Sequence, residues 1–217
     1  MIEERIKFAL DTFLVENYFA IPAESYVLKE NDPKGKSVLN LYVGNTDNLC
    51  KPNYDAQLPH FSFIRTDNNY KIDKCIDHFL LIKRNKHWEL HMFEMKTTLS
   101  VRTWDDVRRK MRASYLKIKA LLVFLGIKLA DKHIFAYTTY EKVDLSISNN
   151  KNLKIFMPLI GKRAFDIEKN EWLKNCLYLP LTVDEDTNYY KSFIKIPHRG
   201  IQMHRNKDEI LYGNFNL

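Results

Sequence analysis

Cysteine is scarce in this sequence, and long apolar runs are absent. The three cysteines, Cys50, Cys75 and Cys176, are odd in number and widely spaced. This usage favours reduced thiols in a cytoplasm over a disulfide framework. No apolar run approaches the roughly 20 residues that a membrane span needs, and the N-terminal segment carries acidic residues where a secretion signal would be basic. We therefore expect a soluble, cytoplasmic protein without a membrane partner.

Glycine-rich phosphate loops and paired zinc ligands are also missing. The segment Pro33 to Ser37 ends like a phosphate-binding loop, but Glu30 stands where the first glycine of that motif belongs, so we predict a plain turn. The spacing Cys75-x-x-His78 resembles half of a zinc site, but without a second pair it favours a buried thiol. His87 and His91 have no nucleophile pattern beside them, and we interpret both as structural.

Composition indicates one globular unit with a basic surface. With 45% hydrophobic residues in 217, the chain can bury a substantial core, and no repeat or linker divides it. We predict a single domain over residues 1–217, with a core over about 1–140 and a C-terminal elaboration over about 141–217. The net charge of +7 suits a polyanion such as nucleic acid. Because the chain is rich in Lys, Asn, Ile and Tyr, a compositional bias explains the same charge equally well.

Hydrophobic periodicity predicts a mixture of helices and strands. Apolar residues recur at helical spacing from Ile2 to Phe19, and Glu16 is the carboxylate nearest to the apolar side of that helix. We expect strands at several β-branched or aliphatic segments and a hairpin between residues 75 and 97. The order of these helices and strands along the chain predicts an α/β or α+β fold with a central mixed sheet flanked by helices. The strand predictions are Ser37 to Val43, His133 to Tyr140 and, more weakly, His60 to Thr66, Leu153 to Gly161 and Cys176 to Val183.

A long amphipathic helix follows the hairpin. Apolar residues from Trp104 to Leu125 recur at three- and four-residue steps, Thr103 and Asp106 fit a capping box, and Gly126 is placed to end the helix. Several cations follow one border of the apolar stripe, where they could track a phosphate backbone or cover apolar edges with their stems. These candidate nucleic-acid contacts are Arg108, Arg112 and Lys119, with Arg102 at the helix entrance. The cations expected to point into solvent are Arg109, Lys110 and Lys117.

The hairpin carries charges inside otherwise apolar strands. Glu94 and Lys96 share one face because side chains alternate along a strand. With an even-length loop, Ile82 would pair with His87, and Asp77 would lie opposite Met92 on the face of Glu94. Unpaired buried charges are strongly disfavoured. A divalent cation such as Mg²⁺ or Mn²⁺, which prefers carboxylate oxygens and keeps waters for a substrate phosphate, would compensate them.

The pattern Asp77, then sixteen residues, then Glu94-Met95-Lys96 resembles the PD-(D/E)xK nuclease superfamily. The element order over Ile2 to Tyr140 is similar too, so the resemblance implies a restriction-endonuclease-like core. It implies that Asp77 and Glu94 are metal ligands, joined by the main-chain carbonyl of Met95. It further implies that Lys96 is a water-orienting base or an electrostatic stabiliser.

The resemblance also assigns a helix acid and departs from the family name at one position. Glu16 would match the helix glutamate of many members and would be a further metal ligand. Ile76 replaces the proline that precedes the first acid in the family name. Asp73 is a rival for that acid, since it shares strand parity with Asp77.

Together these features predict an Mg²⁺- or Mn²⁺-dependent endonuclease that hydrolyses phosphodiester bonds of nucleic acid, with DNA as the expected partner. Cutting both strands would favour a homodimer. Three alternatives stay open. A nucleic-acid-binding protein on the same scaffold would bind without metal, a protein-interaction module would not bind nucleic acid, and a surface hairpin with an ordinary Glu-Lys pair would have no metal site.

Overall fold

The computed structural model describes residues 3–32, 35–55, 74–144, 171–172, 174–180 and 193–217. Within these ranges the protein is a mixed α+β fold that is mostly sheet. The helices are α1 (Glu4–Phe13) and α2 (Val101–Phe124). The strands are β1 (Ser25–Asp32), β2 (Gly35–Tyr42), β3 (Asn48–Lys51), β4 (His78–Arg84), β5 (His87–Met95), β6 (Thr98–Ser100), β7 (Ile134–Tyr140), β8 (Lys142–Asp144), β9 (Cys176–Pro180), β10 (Phe193–Gln202), β11 (His204–Arg205) and β12 (Leu211–Asn216).

The larger of the two main sheets has six strands in the order β3-β4-β5-β7-β10-β9. Strands β3, β4 and β5 form an antiparallel meander. The chain then passes through α2 and returns as β7, which lies parallel to β5. Strand β10 is parallel to β7, and β9 closes the other edge in antiparallel orientation. The second sheet has the order β1-β2-β12-β11, and β6 and β8 form a short parallel pair.

Two apolar cores lie on opposite faces of the six-stranded sheet. The side chains of β4 alternate between the two cores. Phe79 and Leu81 belong to the first core, and Leu80 and Ile82 belong to the second. The first core is covered by α1 and α2. The second is covered by the four-stranded sheet. The sequence predicted a sheet flanked by helices, but in the described part of the chain the helices cover only one face, because the other is buried by a second sheet.

The C-terminal residues take part in both sheets. Basic charge, a proline and a glycine in the run Ile194 to Lys207 are typical of a loop or a solvated tail, but the structure shows otherwise. Most of this run forms β10, whose residues from Ile194 onward alternate between buried and exposed. Lys195 and Arg199 project to the exposed side while Ile196 is fully buried. The basic run therefore also has the two-residue alternation of buried and exposed side chains that is typical of a half-buried strand.

The helices confirm the predicted segments but correct their ends. Helix α2 begins one turn earlier than the predicted cap, because Ser100 and Thr103 form the capping box. Gly126 follows the helix with a φ of 67°, where glycine is favoured. Helix α1 ends at Phe13, whose side chain is 57% exposed, so the predicted extension to Phe19 was wrong.

The strand predictions fare unevenly. The predicted strands from Ser37, His133 and Cys176 are present as β2, β7 and β9. The first strand, β1, was not predicted, because its sequence SYVLKEND is polar. The predictions for His60 to Thr66 and Leu153 to Gly161, and for the rival acid Asp73, lie outside the described residues. Among the residues that are described, no helix is both long enough and apolar enough to cross a membrane.

Candidate functional site

The β4–β5 hairpin brings the predicted acids together. Arg84 pairs with His87, which leaves a two-residue loop whose first residue, Asn85, has a φ of 54°. Continuing this register by one pair beyond the strand places Asp77 opposite Glu94. The predicted face was therefore correct, but the predicted partner was not. An Ile82–His87 pair would require a four-residue loop, whereas the observed loop has two residues. The difference shifts the pairing by two residues, so each side chain keeps the predicted face of the sheet.

The two acids are almost completely removed from solvent. Asp77 is 4% exposed and Glu94 is 0% exposed. The Asp77 Oδ2 atom accepts a hydrogen bond of 2.5 Å from the Met95 backbone N–H. The Glu94 Oε1 atom lies 2.6 Å from Lys96 Nζ, while its Oε2 atom is buried and has no hydrogen-bond partner among the described residues. One carboxylate oxygen is thus free to bind a further group.

A second ammonium, which the sequence did not reveal, comes from α2. Lys110 Nζ lies 2.7 Å from Glu94 Oε1 and 3.6 Å from Asp77 Oδ1. We predicted that Lys110 and Lys117 point into solvent, and the structure contradicts both predictions. Only Arg109 of that group is substantially exposed, at 38% of its side chain. The four groups Asp77, Glu94, Lys96 and Lys110 are called the acid–lysine cluster below.

A polar stripe along α2 explains how Lys110 reaches the acids. Lys117 Nζ donates to the Lys74 carbonyl at 3.2 Å and contacts the Cys75 thiol at 3.3 Å. One turn earlier, the Ser114 hydroxyl accepts the Ile76 N–H at 2.8 Å. Because residues three or four apart share a helix face, Lys110 continues this stripe towards Asp77. The signal available in the sequence was the spacing of Lys110, Ser114 and Lys117, which places three polar side chains on one face of the helix. In the structure this face is turned towards the residues before Asp77.

Burial and nearby negative charge raise the pKa of both acids. Burial raises the pKa of Asp77 to about 6, against the attraction of Lys110. Burial and the neighbouring Asp77 charge raise the pKa of Glu94 to about 7. Glu30 of β1 also raises the pKa of Asp77 electrostatically, so a third carboxylate lies near the pair. Asp77 therefore loses its proton as the pH rises through about 6 and Glu94 as it rises through about 7, and a bound cation would favour the ionised form of both acids.

The lysines keep their charge. Burial alone would lower the pKa of Lys96, but the Glu94 and Asp77 carboxylates outweigh it and raise the pKa above its ordinary value. The same two acids raise the pKa of Lys110. The Lys96 side chain is 18% exposed, so its ammonium group can reach solvent while contacting Glu94.

Glu16 is not brought to this cluster. It lies in an exposed turn beyond the end of α1, and it is not among the groups that shift the pKa of Asp77 or Glu94. The end of α1 contacts the far end of α2, where the rings of Phe13 and Phe124 are 5.3 Å apart. Lys110 lies about 21 Å back along α2 from Phe124, at about 1.5 Å per residue. Because α1 ends early, the expected metal ligand Glu16 stays outside the site.

The predicted basic stripe on α2 is largely used inside the protein. Arg108 is 5% exposed and forms an ion pair through its Nε atom with Glu171. Arg112 Nε donates to the Tyr178 carbonyl at 3.1 Å. These internal contacts correct the prediction that Arg108 and Arg112 line a phosphate backbone. The cations of that prediction that remain exposed are Arg102 and Lys119.

The chain matches no protein-family model, no curated protein and no solved structure. Any function therefore has to be derived from the acid–lysine cluster and its surroundings.

Proposed function

We propose that the chain is a divalent-cation-dependent nuclease that hydrolyses phosphodiester bonds of nucleic acid, with DNA as the substrate. One observation carries this proposal: two buried carboxylates, Asp77 and Glu94, meet at the ends of adjacent strands beside the ammonium group of Lys96. Two buried acids whose pKa values are both raised by burial are costly for the fold, and such groups cluster at functional sites.

The donor groups suit Mg²⁺ or Mn²⁺. These ions prefer oxygen ligands, and the unpartnered Oε2 atom of Glu94 is an oxygen already stripped of water. Asp77, Glu94 and the Met95 carbonyl would hold the ion. When bound, it would polarise the phosphate and make an attacking water more acidic. Glu30 would add negative charge near the site, which strengthens its attraction for a cation.

Lys96 supplies positive charge at the same place. Because its pKa is raised, it remains an ammonium and does not act as the base that accepts a proton. We therefore assign it the second of its two expected roles, stabilising negative charge that develops on the phosphate. The Met95 N–H fixes the Asp77 carboxylate, and the buried strands keep bulk water away from the acids.

The order of the elements supports the restriction-endonuclease-like part of the proposal. Helix α1, the meander β3-β4-β5, helix α2 and the parallel strand β7 follow one another in the order expected from the resemblance. The acids occupy β5 and the residue before β4, as in the motif. The segment that provides the preceding strand is Asn48–Lys51, nearer to the N-terminus than the predicted one at His60 to Thr66.

The first experiment is a cleavage assay on supercoiled plasmid and on single-stranded DNA with Mg²⁺, Mn²⁺ or EDTA. We expect cutting with either ion at about pH 8 and none with EDTA. Because the pKa values of about 6 and about 7 are those of groups that must be ionised, activity at limiting Mg²⁺ should fall as the pH drops through this range. Absence of cutting under every condition would contradict the proposal.

A second candidate function is nucleic-acid binding without catalysis. The observation in its favour is that Lys96 and Lys110 already place two positive charges beside Glu94, so the cluster can be charge-balanced without a metal. Such a protein would bind DNA with a strong salt dependence and would need no cation.

Replacing Lys110 separates the two candidates. In a metal site the Lys110 ammonium competes with the cation for the same Glu94 oxygen, and a charged hydrogen bond is worth about 1.5–3 kcal/mol. Lys110→Ala should therefore bind Mn²⁺ about 10-fold tighter or more in a calorimetric titration. Lys119→Ala, an exposed cation on the same helix, is the matched control and should change nothing. If neither the wild type nor Lys110→Ala binds Mn²⁺, the non-catalytic function is favoured.

A further inference from the structure

We propose that His87, Glu89 and His133 form a second metal site, which takes a borderline transition-metal ion such as Zn²⁺. Each offers one ligand atom, and these three atoms lie within 4.8 Å of one another. This site is independent of the proposed nuclease function. It uses residues that we had interpreted as structural or had not considered.

The three side chains are positioned by adjacent strands. His87 and Glu89 lie two residues apart on β5 and so point to the same face. His133 comes directly before β7, the parallel neighbour of β5. His87 Nε2 lies 3.3 Å from Glu89 Oε1, and the rings of His87 and His133 are stacked with centroids 3.9 Å apart.

The separation between the His87 and Glu89 donor atoms matches that of a zinc-bound site. Zn²⁺ with ligands at about 2.0–2.1 Å in tetrahedral geometry needs donor atoms about 3.3 Å apart. Glu89 and His87 already have that separation. The two imidazole rings must turn out of their stacked arrangement so that their nitrogen lone pairs converge. His87 and His133 are both partly exposed, so this rotation does not disturb either core.

The chemistry of the ligands selects the metal. Two imidazoles and one carboxylate suit Zn²⁺ and similar ions, whereas Mg²⁺ prefers a set made of oxygens. Three protein ligands leave a fourth position for water or for a ligand from outside.

Neighbouring groups hold the carboxylate in place, as outer groups do in metal sites. The second oxygen of Glu89, Oε2, lies 3.3 Å from His91 Nε2 and 3.7 Å from Arg84 Nε. His91 is fixed in turn by a contact of 3.0 Å between its Nδ1 atom and the Tyr137 hydroxyl. This arrangement leaves Oε1 directed towards His87.

The second site is separate from the acid–lysine cluster. Glu89 and Glu94 differ in parity on β5, so their side chains lie on opposite faces of the sheet. Five residues of strand also separate them, about 17 Å at about 3.4 Å per residue. Variants at either site can therefore be measured without altering the other.

The test uses metal binding by the full-length protein, measured with ZnCl₂ by calorimetry and with CoCl₂ by visible absorption. We expect one Zn²⁺ per chain that binds independently of Asp77, and a cobalt spectrum of nitrogen and oxygen ligation without the charge-transfer absorption of a cobalt–thiolate bond. His133→Ala and His87→Ala should each weaken Zn²⁺ binding at least about 10-fold. His204→Ala, an exposed histidine on β11, and Asp77→Asn should leave it unchanged.

Several results would overturn the site. They are the absence of stoichiometric Zn²⁺ binding, unchanged binding by His133→Ala, or a cobalt–thiolate signal, which would assign the metal to a cysteine. Because both histidines are partly exposed, the variants should keep the wild-type circular dichroism spectrum. If His133→Ala does not, His133→Gln, which keeps a polar side chain of similar size, should show the same loss of binding.

Discussion

Glu94→Gln and Asp77→Asn are each expected to reduce divalent-cation-dependent cleavage by about 10³-fold or more. An amide of the same shape removes one negative charge from the acid pair, and a catalytic ion contributes several kcal/mol of charge stabilisation. A loss of about 4 kcal/mol of this charge stabilisation corresponds to a rate about 10³-fold lower. The measurement is the initial rate of plasmid nicking at saturating Mg²⁺. Mg²⁺ affinity, measured by calorimetry, should fall with it.

The fold should survive these two substitutions. Burial raises the pKa of Glu94 to about 7. The stability that protonation provides is therefore complete at acidic pH and is lost as the pH rises towards 7. A neutral glutamine keeps the uncharged form at all pH values. Lys96 and Lys110 lose a partner but remain partly exposed, so water can solvate them.

A matched variant gives the control for the nicking assay. Glu141→Gln removes one carboxylate charge from a partly exposed ion pair with Arg205 and should cut DNA at the wild-type rate. If Glu94→Gln or Asp77→Asn also cuts at that rate, the assignment of these residues is wrong. A loss of activity accompanied by a lower unfolding midpoint would point to structural damage, and the Mg²⁺ titration of folded protein would then decide.

Glu171→Ala is expected to lower the free energy of unfolding by about 3–5 kcal/mol. Removing one partner of a buried ion pair leaves an uncompensated buried charge, which typically costs this much. The Glu171 side chain is 0% exposed and pairs with Arg108, while its Oε1 atom lies 3.7 Å from Arg112 Nη2. It also accepts the Tyr178 N–H at 2.9 Å and so connects α2 to β9. Urea unfolding at neutral pH measures the change.

Glu141→Ala provides the comparison at the surface. The Glu141–Arg205 pair has good geometry, with contacts of 2.9 and 3.0 Å, but it is partly exposed, and such pairs contribute about 0.2–1 kcal/mol. The difference between the two variants should therefore be at least about 2 kcal/mol. Equal effects would show that Glu171 is not the buried anchor that we describe.

The buried Glu171 also affects how DNA could bind. Because Arg108 contacts Glu171 and Arg112 contacts Tyr178, the positive charge available near the site comes from other side chains. Lys96 and Lys110 are the cations that reach the acids directly. The border of an amphipathic helix was therefore a poor guide to the exposure of Arg108 and Arg112.

Local periodicity was sufficient for the elements that carry the motif. The hairpin, α2 and β7 were predicted because apolar residues repeat at intervals of two or of three to four, and these intervals belong to one segment at a time. The shared face of Asp77 and Glu94 rested on the expectation of an even-length loop, since an odd one would have reversed it, and the two-residue loop confirms this expectation. These features depend on neighbours in the chain, so the sequence by itself determined them.

Other features depended on residues far apart in the chain. Lys110 belongs to the site because its helix packs against the segment before Asp77, and Glu30 approaches through a strand of the other sheet. The basic C-terminal run became β10 because β7 and β9 offered it hydrogen-bonding edges on both sides. Contacts of this kind depend on which surfaces of distant segments meet. The spacing of apolar residues within one segment does not predict this. Only the tertiary structure decided which charges are buried together.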